Sequence, residues 1–274
     1  KMALAEVLLL LLRLGAKMEE LVKECVDFIG QNFAKVTALP LDMSSLAEDI
    51  HAKMSKVISE EQLEELWERS ERSDDDSEHS KQSAVLVNRI YKHKVEHLLR
   101  TMHTTLVRCA QCGFLFSAAH RAQLTCPSAK PMVDYRGNVV AYHSPEPRWR
   151  FQKYLGELRK GGHSWREIYW HIWGYVQVQR CKACNRHFPV CEAAHCAYHP
   201  KAPVFTGSKS NGTYPCCGSV AFRFHSTDAA HQGCSNRSHE IEERPTSGRT
   251  PGEQQRVLRL LSLYSNLIVI PWEG

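Results

Sequence analysis

Apolar residues recur three and four positions apart through most of the first hundred residues, and the pattern then breaks into short alternating runs. Over residues 2–33 this spacing predicts helix, with Leu21, Val22, Cys25, Phe28 and Ile29 on one stripe, and Pro40 marks the break after it. Leu46, Ile50, Met54, Val57 and Ile58 open a second helical stretch that Leu63, Leu66 and Trp67 continue. Residues 70–81 are acidic, Ser-rich and without a large apolar side chain, which predicts a flexible linker. The helical period returns over 85–107, where Val87, Ile90, Tyr91, Val95, Leu98, Leu99 and Met102 make one stripe. Such stripes exist to be buried, against a core or a partner helix. Two later segments, 151–158 and 165–173, read as aromatic-rich helices that join the modules around them, and Gly174 is expected to end the second before a strand at 175–179. Residues 133–142 alternate around Arg136, Gly137 and Asn138, a hairpin signal. Residues 240–256 read as a polar linker, and 257–270 as a short apolar element that packs back on the body.

The expected class is α+β, a helical N-terminal part followed by small α+β modules. The expected segments are 1–69 helical, 70–83 acidic linker, 84–180 a helix plus a first Cys-containing module, 181–239 a second, and 240–274 a linker and apolar end. Among 274 residues, 43% are hydrophobic and 24% charged, ordinary globular usage that excludes a wholly disordered or collagen-like chain. A net charge of +5 is mild for this length and does not by itself imply nucleic acid. The apolar run at 7–12 is too short for a bilayer, which needs about 20 residues. Gly15 and Ala16 imitate a signal-peptide cleavage site, but the helical period continues through Ile29, so the run reads as the start of a retained helical domain. A start at Lys1, without an initiator Met, suggests a piece of a longer protein.

The compositional outlier is 11 Cys beside 15 His, and Cys25 alone of the cysteines precedes residue 108. Cys109 and Cys112, followed by Gly113, form a C-x2-C-G knuckle, in which two thiolates can hold one tetrahedral zinc at about 2.3 Å. Cys126 and His143 are the preferred completing ligands, with His120 the substitute. Downstream, Cys181 and Cys184, Cys196 and His199, Cys216 and Cys217, and Cys234 and His239 supply eight ligands, enough for two closed four-ligand sites of structural type. Adjacent side chains on an extended backbone point opposite ways, so Cys216 and Cys217 are expected to serve one metal each. His187, Cys191 and His195 are spare candidates. The expected cofactor is zinc, about three ions.

Cys196-Ala-Tyr-His199-Pro200, Pro203-Val-Phe205, Gly212-x-Tyr214-x-Cys216-Cys217 and Gly233-Cys234-x4-His239 resemble the CHORD zinc module, with Cys181 and Cys184 where that module has its first two cysteines. The resemblance implies two zinc ions and a co-chaperone scaffold linked to a heat-shock chaperone. Over nearly the whole chain, the run from Lys17 to Cys25 looks like the helical end of a BTB domain. Asp134-Tyr-Arg-Gly-Asn-Val-Val140, Ser164-Trp-Arg-Glu-Ile-Tyr-Trp170 and His195-Cys-Ala-Tyr-His-Pro200, in that order, resemble the SANT and BTB domain regulators of class switch recombination. That resemblance implies a BTB-end or BACK-like segment at 1–69, homodimerisation through the BTB part of a longer chain, co-repressor partners, and negative regulation of immunoglobulin class switching.

An odd number of Cys in C-x2-C pairs, some beside His, argues for an intracellular reduced protein rather than a disulfide framework, and the resemblance places it in the nucleus. No His has a Glu two positions later, and there is no Walker loop and no G-x-S-x-G elbow, so no enzyme is expected. The expected role is a non-catalytic zinc scaffold acting through protein partners, away from membranes. Its rivals are a CHORD-type co-chaperone adaptor and a nucleic-acid binder using Arg148, Arg150, Lys153, Arg159, Lys160 and Arg166 beside Trp149 and Trp165.

Overall fold

The computed structural model describes residues 19–72, 78–101, 106–135, 139–208, 210–222, 233–243 and 249–270. The expectations for 2–14 and for the turn at 136–138 lie outside them. The class is α+β: a helical N-terminal part is followed by small antiparallel sheets. The chain forms two compact units, residues 1–102 with 157–169, and 103–156 with 170–274. A boundary near 84 or 181, as the segment reading has it, does not coincide with this division. Contiguous stretches of sequence do not make the units here.

In the first unit α1 (Glu19–Gln31), α2 (Phe33–Val36), α3 (Glu48–Val57), α4 (Glu60–Arg72) and α5 (Glu78–Thr101) pack together, with α5 against both α3 and α4, and α1 against α3. Val22, Cys25, Val26 and Ile29 bury one face of α1 at helical spacing, and Met54, Leu63, Val87, Ile90 and Tyr91 complete the core. Ser59 and Gln62 form a capping box before α4: the Ser59 amide donates to Gln62 Oε1 (2.9 Å), and the Gln62 amide donates to Ser59 Oγ (3.2 Å). The expected linker is narrower than 70–83, because α4 runs through Arg72 and α5 begins at Glu78. Its flanks are good helix formers, and Ser83 and Leu86 of α5 are buried. Likewise α5 ends at Thr101, and Leu106 and Val107, expected as the end of the helix, belong to the strand Leu106–Arg108.

Glu64 is the buried centre of this unit's polar network. Arg166 Nε and Nη2 donate to its Oε2 at 2.8 and 2.6 Å, and Tyr91 OH donates to Oε1 at 2.6 Å. Nearby, Lys94 and Tyr169 donate to Glu60 Oε1 at 3.3 and 2.7 Å. The Arg166 guanidinium also lies over the Trp67 ring.

The segments expected as aromatic helices are α6 (Phe151–Lys160) and α7 (Trp165–Val176), each contributing residues to both units. Gly174 does not end α7, which continues to Val176. In the second unit, a Cβ at Gly174 would stand 3.0 Å from Cys191 Cβ and 3.2 Å from the Ile268 carbonyl, so the glycine permits close approach and does not cap. The expected linker at 240–256 also shortens. Thr250 and Glu253 form a capping box with Pro251 in the first turn, opening α8 (Pro251–Leu263), and α9 (Ser265–Ile268) follows. This end packs back on its unit, with Tyr264 against Trp170 (4.8 Å) and the Ile270 amide donating to Cys191 O. No described helix is long and apolar enough to cross a membrane.

Among the described residues, the sheets of the second unit are five antiparallel pairs of short strands: β1 (Leu106–Arg108) with β2 (Leu115–Ser117), β3 (Met132–Val133) with β4 (Val139–Val140), β5 (Val178–Arg180) with β6 (His187–Pro189), β7 (Cys196–Tyr198) with β10 (Ser235–Arg237), and β8 (Asn211–Thr213) with β9 (Val220–Phe222). Two-stranded pairs this short are marginal alone, so something other than the ladders must hold them.

Replacing Glu64 by Ala leaves Arg166 half-enclosed and Tyr91 buried without their acceptor. The expected loss is about 3–5 kcal/mol, read from urea unfolding of the metal-loaded protein, whereas Glu68→Ala, which breaks only the exposed pair with Arg72, costs under about 1 kcal/mol. A second expectation concerns His51, fully buried, whose Nε2 donates to Met43 O while Nδ1 has no partner. Burial holds its pKa below the ordinary histidine value. A depressed folded pKa means the contribution is whole above the ordinary value, about 6.5, and is lost as pH falls through the folded one. Urea midpoints should therefore fall on acidification below about 6.5, and His51→Gln should flatten that slope.

Candidate metal centres

Among the described residues, the second unit brings Cys and His together in three groups: Cys109, Cys112, Cys126 and His143; Cys181, Cys184, Cys196 and His239; and His199, Cys216, Cys217 and Cys234. Within each, every ligand atom lies within 4.8 Å of the others, and each group could hold a metal ion.

The first two groups are built by one design used twice. A strand (β1 or β5) runs into C-x2-C, the chain turns through a residue of positive φ (Gly113, 74°; Asn185, 59°), a second strand (β2 or β6) pairs back, and a 3-10 turn leads to the third Cys. The backbone repeats bond for bond. Cys109 N–H donates to Phe114 O as Cys181 N–H does to Arg186 O, and Gly113 N–H donates to Cys109 O as Asn185 N–H does to Cys181 O. The fourth ligands return alike, since Ala110 N–H reaches Ser144 O and Lys182 N–H reaches Glu240 O. In each copy the Arg before the first Cys pairs with the Glu three residues after the His, Arg108 with Glu146 at 2.7 Å and Arg180 with Glu242 at 3.7 Å. Sequence reading missed this repeat, although R-C-x2-C-x3-F occurs twice, at 108–116 and 180–188, and H-x2-E twice, at 143–146 and 239–242.

The copies differ between the third and fourth ligands. The first carries only the β3–β4 hairpin there, and the second carries a lobe with β8, β9 and the third group. That third group is therefore nested inside the second. Ribbon β7–β10 explains which ligand goes where: Tyr198 pairs with Ser235 and Cys196 with Arg237, so His199 and Cys234 leave one end while Cys196 and His239 lie toward the other. Cys196 and His199 are three apart on extended chain and face opposite sides.

The expectation that Cys216 and Cys217 serve one metal each is overturned, since both belong to the third group. They lie in a turn, not on extended chain. Gly218 N–H donates to Tyr214 O at 2.8 Å, Gly218 has φ 74°, and the reversal aims both thiols at His199. The spare candidates stay outside all three groups. Of these, Cys191 is buried, His195 bonds Ile270 O at 2.7 Å, and His120, the substitute ligand, has a buried Nδ1 without a partner.

The spacing of the ligand atoms carries the chemistry. A tetrahedral zinc about 2.3 Å from sulfur and about 2.05 Å from nitrogen separates S from S by about 3.8 Å and S from N by about 3.6 Å. Cys109 and Cys126 Sγ are 3.9 Å apart, and Cys181 and Cys196 Sγ 4.0 Å. Sγ to Nδ1 is 3.4 Å for Cys112–His143, 3.6 Å for Cys184–His239, and 3.6 and 3.5 Å from Cys216 and Cys217 to His199. These sulfurs are far beyond disulfide bonding, about 2.05 Å. All three imidazoles present Nδ1 and stack on an aromatic ring, His143 on Phe116 (4.9 Å), His239 on Phe188 (3.7 Å) and His199 on Tyr214 (3.7 Å), which fixes ring orientation before any ion binds.

Burial holds His143 below the ordinary histidine value, against the pull of a hydrogen bond with the Thr125 backbone. Burial lowers His239 to about 4, with Arg186, His195 and Arg237 adding to it. Both are then neutral donors at neutral pH, the form a metal requires. Burial raises the Cys109 thiol, but the amides of Cys112, Gln111 and Ser144 outweigh it and bring it to about 7.

Within the aromatic–basic set named for nucleic acid, Arg148, Arg150, Lys153 and Lys160 are exposed, while Arg159, Trp165 and Arg166 are engaged within the first unit. Trp170, Ile172 and Trp173 are buried, Arg159 lies over Trp165, and Arg166 is bound to Glu64. No family model matches the chain, and no solved structure matches it.

Asn185→Ala should cost about 1 kcal/mol, since a left-handed conformation penalises a Cβ, while Asn185→Gly should cost none of that strain. Thermal unfolding of the two metal-loaded variants beside the parent chain checks this, and equal loss in both would place the effect in the side chain instead.

Proposed function

We propose that the chain is a non-catalytic scaffold whose C-terminal half is held by three zinc ions and which works by binding protein partners. The observation that carries this reading is the match between the ligand-atom separations and the edges of a zinc tetrahedron in all three groups. Three thiolates and one imidazole suit zinc, a borderline-soft ion, better than the hard oxygen-seeking cations. Four side chains per ion leave no open position for substrate or water, which favours a structural over a catalytic role.

The protein-partner part is supported by exposed apolar side chains on the projecting strands, Met132, Val133 and Tyr135 at the β3 hairpin and Val204, Val220 and Phe222 around β8 and β9. The finer reading follows the resemblance to the SANT and BTB domain regulators. It is a nuclear regulator of transcription or recombination, with co-repressor partners and dimerisation through the BTB part of a longer chain. The CHORD-type adaptor role is the competing assignment, and binding of purified heat-shock chaperone would favour it.

Native mass spectrometry of the purified protein should find three zinc ions per chain, and cobalt exchange should give the intense visible bands of tetrahedral thiolate ligation. Chelation should unfold the second unit, because zinc binding free energy, about 10–16 kcal/mol in small finger peptides, is folding free energy. Fewer than two tightly held ions would overturn the reading.

A further inference from the structure

The three groups are alike in ligands and unlike in shelter. In the first, Cys109 and Cys126 are each 1% exposed, and in the second Cys181 and Cys196 are at 0%. In the third, Cys217 and Cys234 are both exposed, with Cys216 half-buried. The sheltered groups also have backbone amides aimed at sulfur, Gln111 N–H at Cys109 Sγ (3.4 Å) and Cys184 N–H at Cys181 Sγ (3.5 Å). Around the third group the sulfurs meet hydroxyls, Cys217 with Ser219 at 3.1 Å and Cys234 with Ser235 at 3.9 Å, and Cys217 also takes the Ser219 backbone amide, so exposure is what sets this group apart. Amide donors and burial both blunt a thiolate toward electrophiles, and exposure leaves it reactive.

We propose that Cys217 and Cys234 form a peroxide-reactive modification site, whose oxidation to a disulfide releases the third ion and leaves the other two in place. This rests on the zinc reading of the three groups. Cys234 enters from β10, and its Sγ is within 4.8 Å of both Cys216 and Cys217. A bond between the adjacent Cys216 and Cys217 would close a strained small ring, so Cys234 is the natural partner. Cys217, the more exposed of the two neighbours, is the first to be attacked.

The chemistry balances with hydrogen peroxide as the oxidant. The Cys217 thiolate attacks one peroxide oxygen, the O–O bond breaks, and the sulfenic acid forms with loss of hydroxide. The Cys234 thiolate then attacks that sulfur, forming the S–S bond and expelling a second hydroxide. Two electrons pass from two thiolates to peroxide, and two solvent protons complete two waters. The ion is left with His199 and Cys216 and dissociates.

Nesting confines the damage. The third group closes only the lobe between Cys196 and His239. The β7–β10 ladder and the second group, which flank that lobe, hold its two ends together without the third ion.

The test is a peroxide titration of the metal-loaded chain, followed by native mass spectrometry and by differential alkylation with peptide mapping. The expected first event is loss of one zinc with a mass decrease of two hydrogens, at a dose about tenfold below that releasing the others. The new disulfide should map to Cys217 and Cys234, and thiol reductant with added zinc should restore the third ion. Release of all three ions together, first oxidation at Cys109, Cys112, Cys181 or Cys184, or failure to recover on reduction would each overturn the proposal. Cys234→Ser should keep two ions and lose the two-hydrogen step. Ser219→Ala, which removes no ligand, should keep all three ions before peroxide is added. The zinc count before peroxide tests the zinc reading separately, and in a metal-poor protein the order in which cysteines oxidise still decides the proposal.

Discussion

Three sulfurs and one imidazole nitrogen held within 4.8 Å of one another are the constraint on which the second unit depends. Strands of two or three residues cannot pair stably by themselves, and the apolar clusters directly around the ligands, at Cys109 and Phe116 and at Cys181 and Phe188, are small. Thiolates at such separations also repel unless a cation lies between them. The same residues that would be a liability without an ion become its cage, and the strands are organised to deliver them.

Delivery is by a repeated device. An arginine, a C-x2-C turn through a left-handed residue, a second strand bearing a phenylalanine, and a returning His-x2-Glu recur as one unit in both copies. The phenylalanine orients the histidine, and the Arg–Glu pair closes the ends of the module. Because those pairs are part-exposed, they set register more than they stabilise. The space between third and fourth ligands is where the copies diverge, one with a bare hairpin and the other with a lobe that has its own ligand group. A Cβ at Gly233 would run into the backbone of Tyr198 and Ala197, so the return of that lobe to the ribbon is possible only with glycine there.

The first unit is held differently. Its helices bury most of the stripe positions legible in the sequence, Val22, Cys25, Ile29 and Met54 among them, though Phe28 and Val57 stay exposed, and its specificity comes from two buried carboxylates, Glu60 and Glu64, each satisfied by a cation and a tyrosine. Arg166 and Tyr169 come from a segment far along the chain. That is why a division by texture along the sequence and the division into compact units do not coincide: composition changes near residue 108, but packing does not follow the order of the chain.

The sequence by itself determined the helical stripes and the stock of Cys and His in C-x2-C pairs, and the capping boxes at Ser59 and Thr250 that the structure shows are equally local. These are local properties, set by the 3.6-residue period and by which side chains satisfy free amides or bind soft metals. Only the tertiary structure decided how the eight downstream ligands divide, that Cys196 and His199 part company while Cys216 and Cys217 stay together, and that one ligand group is sheltered less than the others. The reason is physical. The direction of a side chain depends on whether its backbone is extended or turned, and its exposure on what packs over it, and neither is fixed by spacing along the chain.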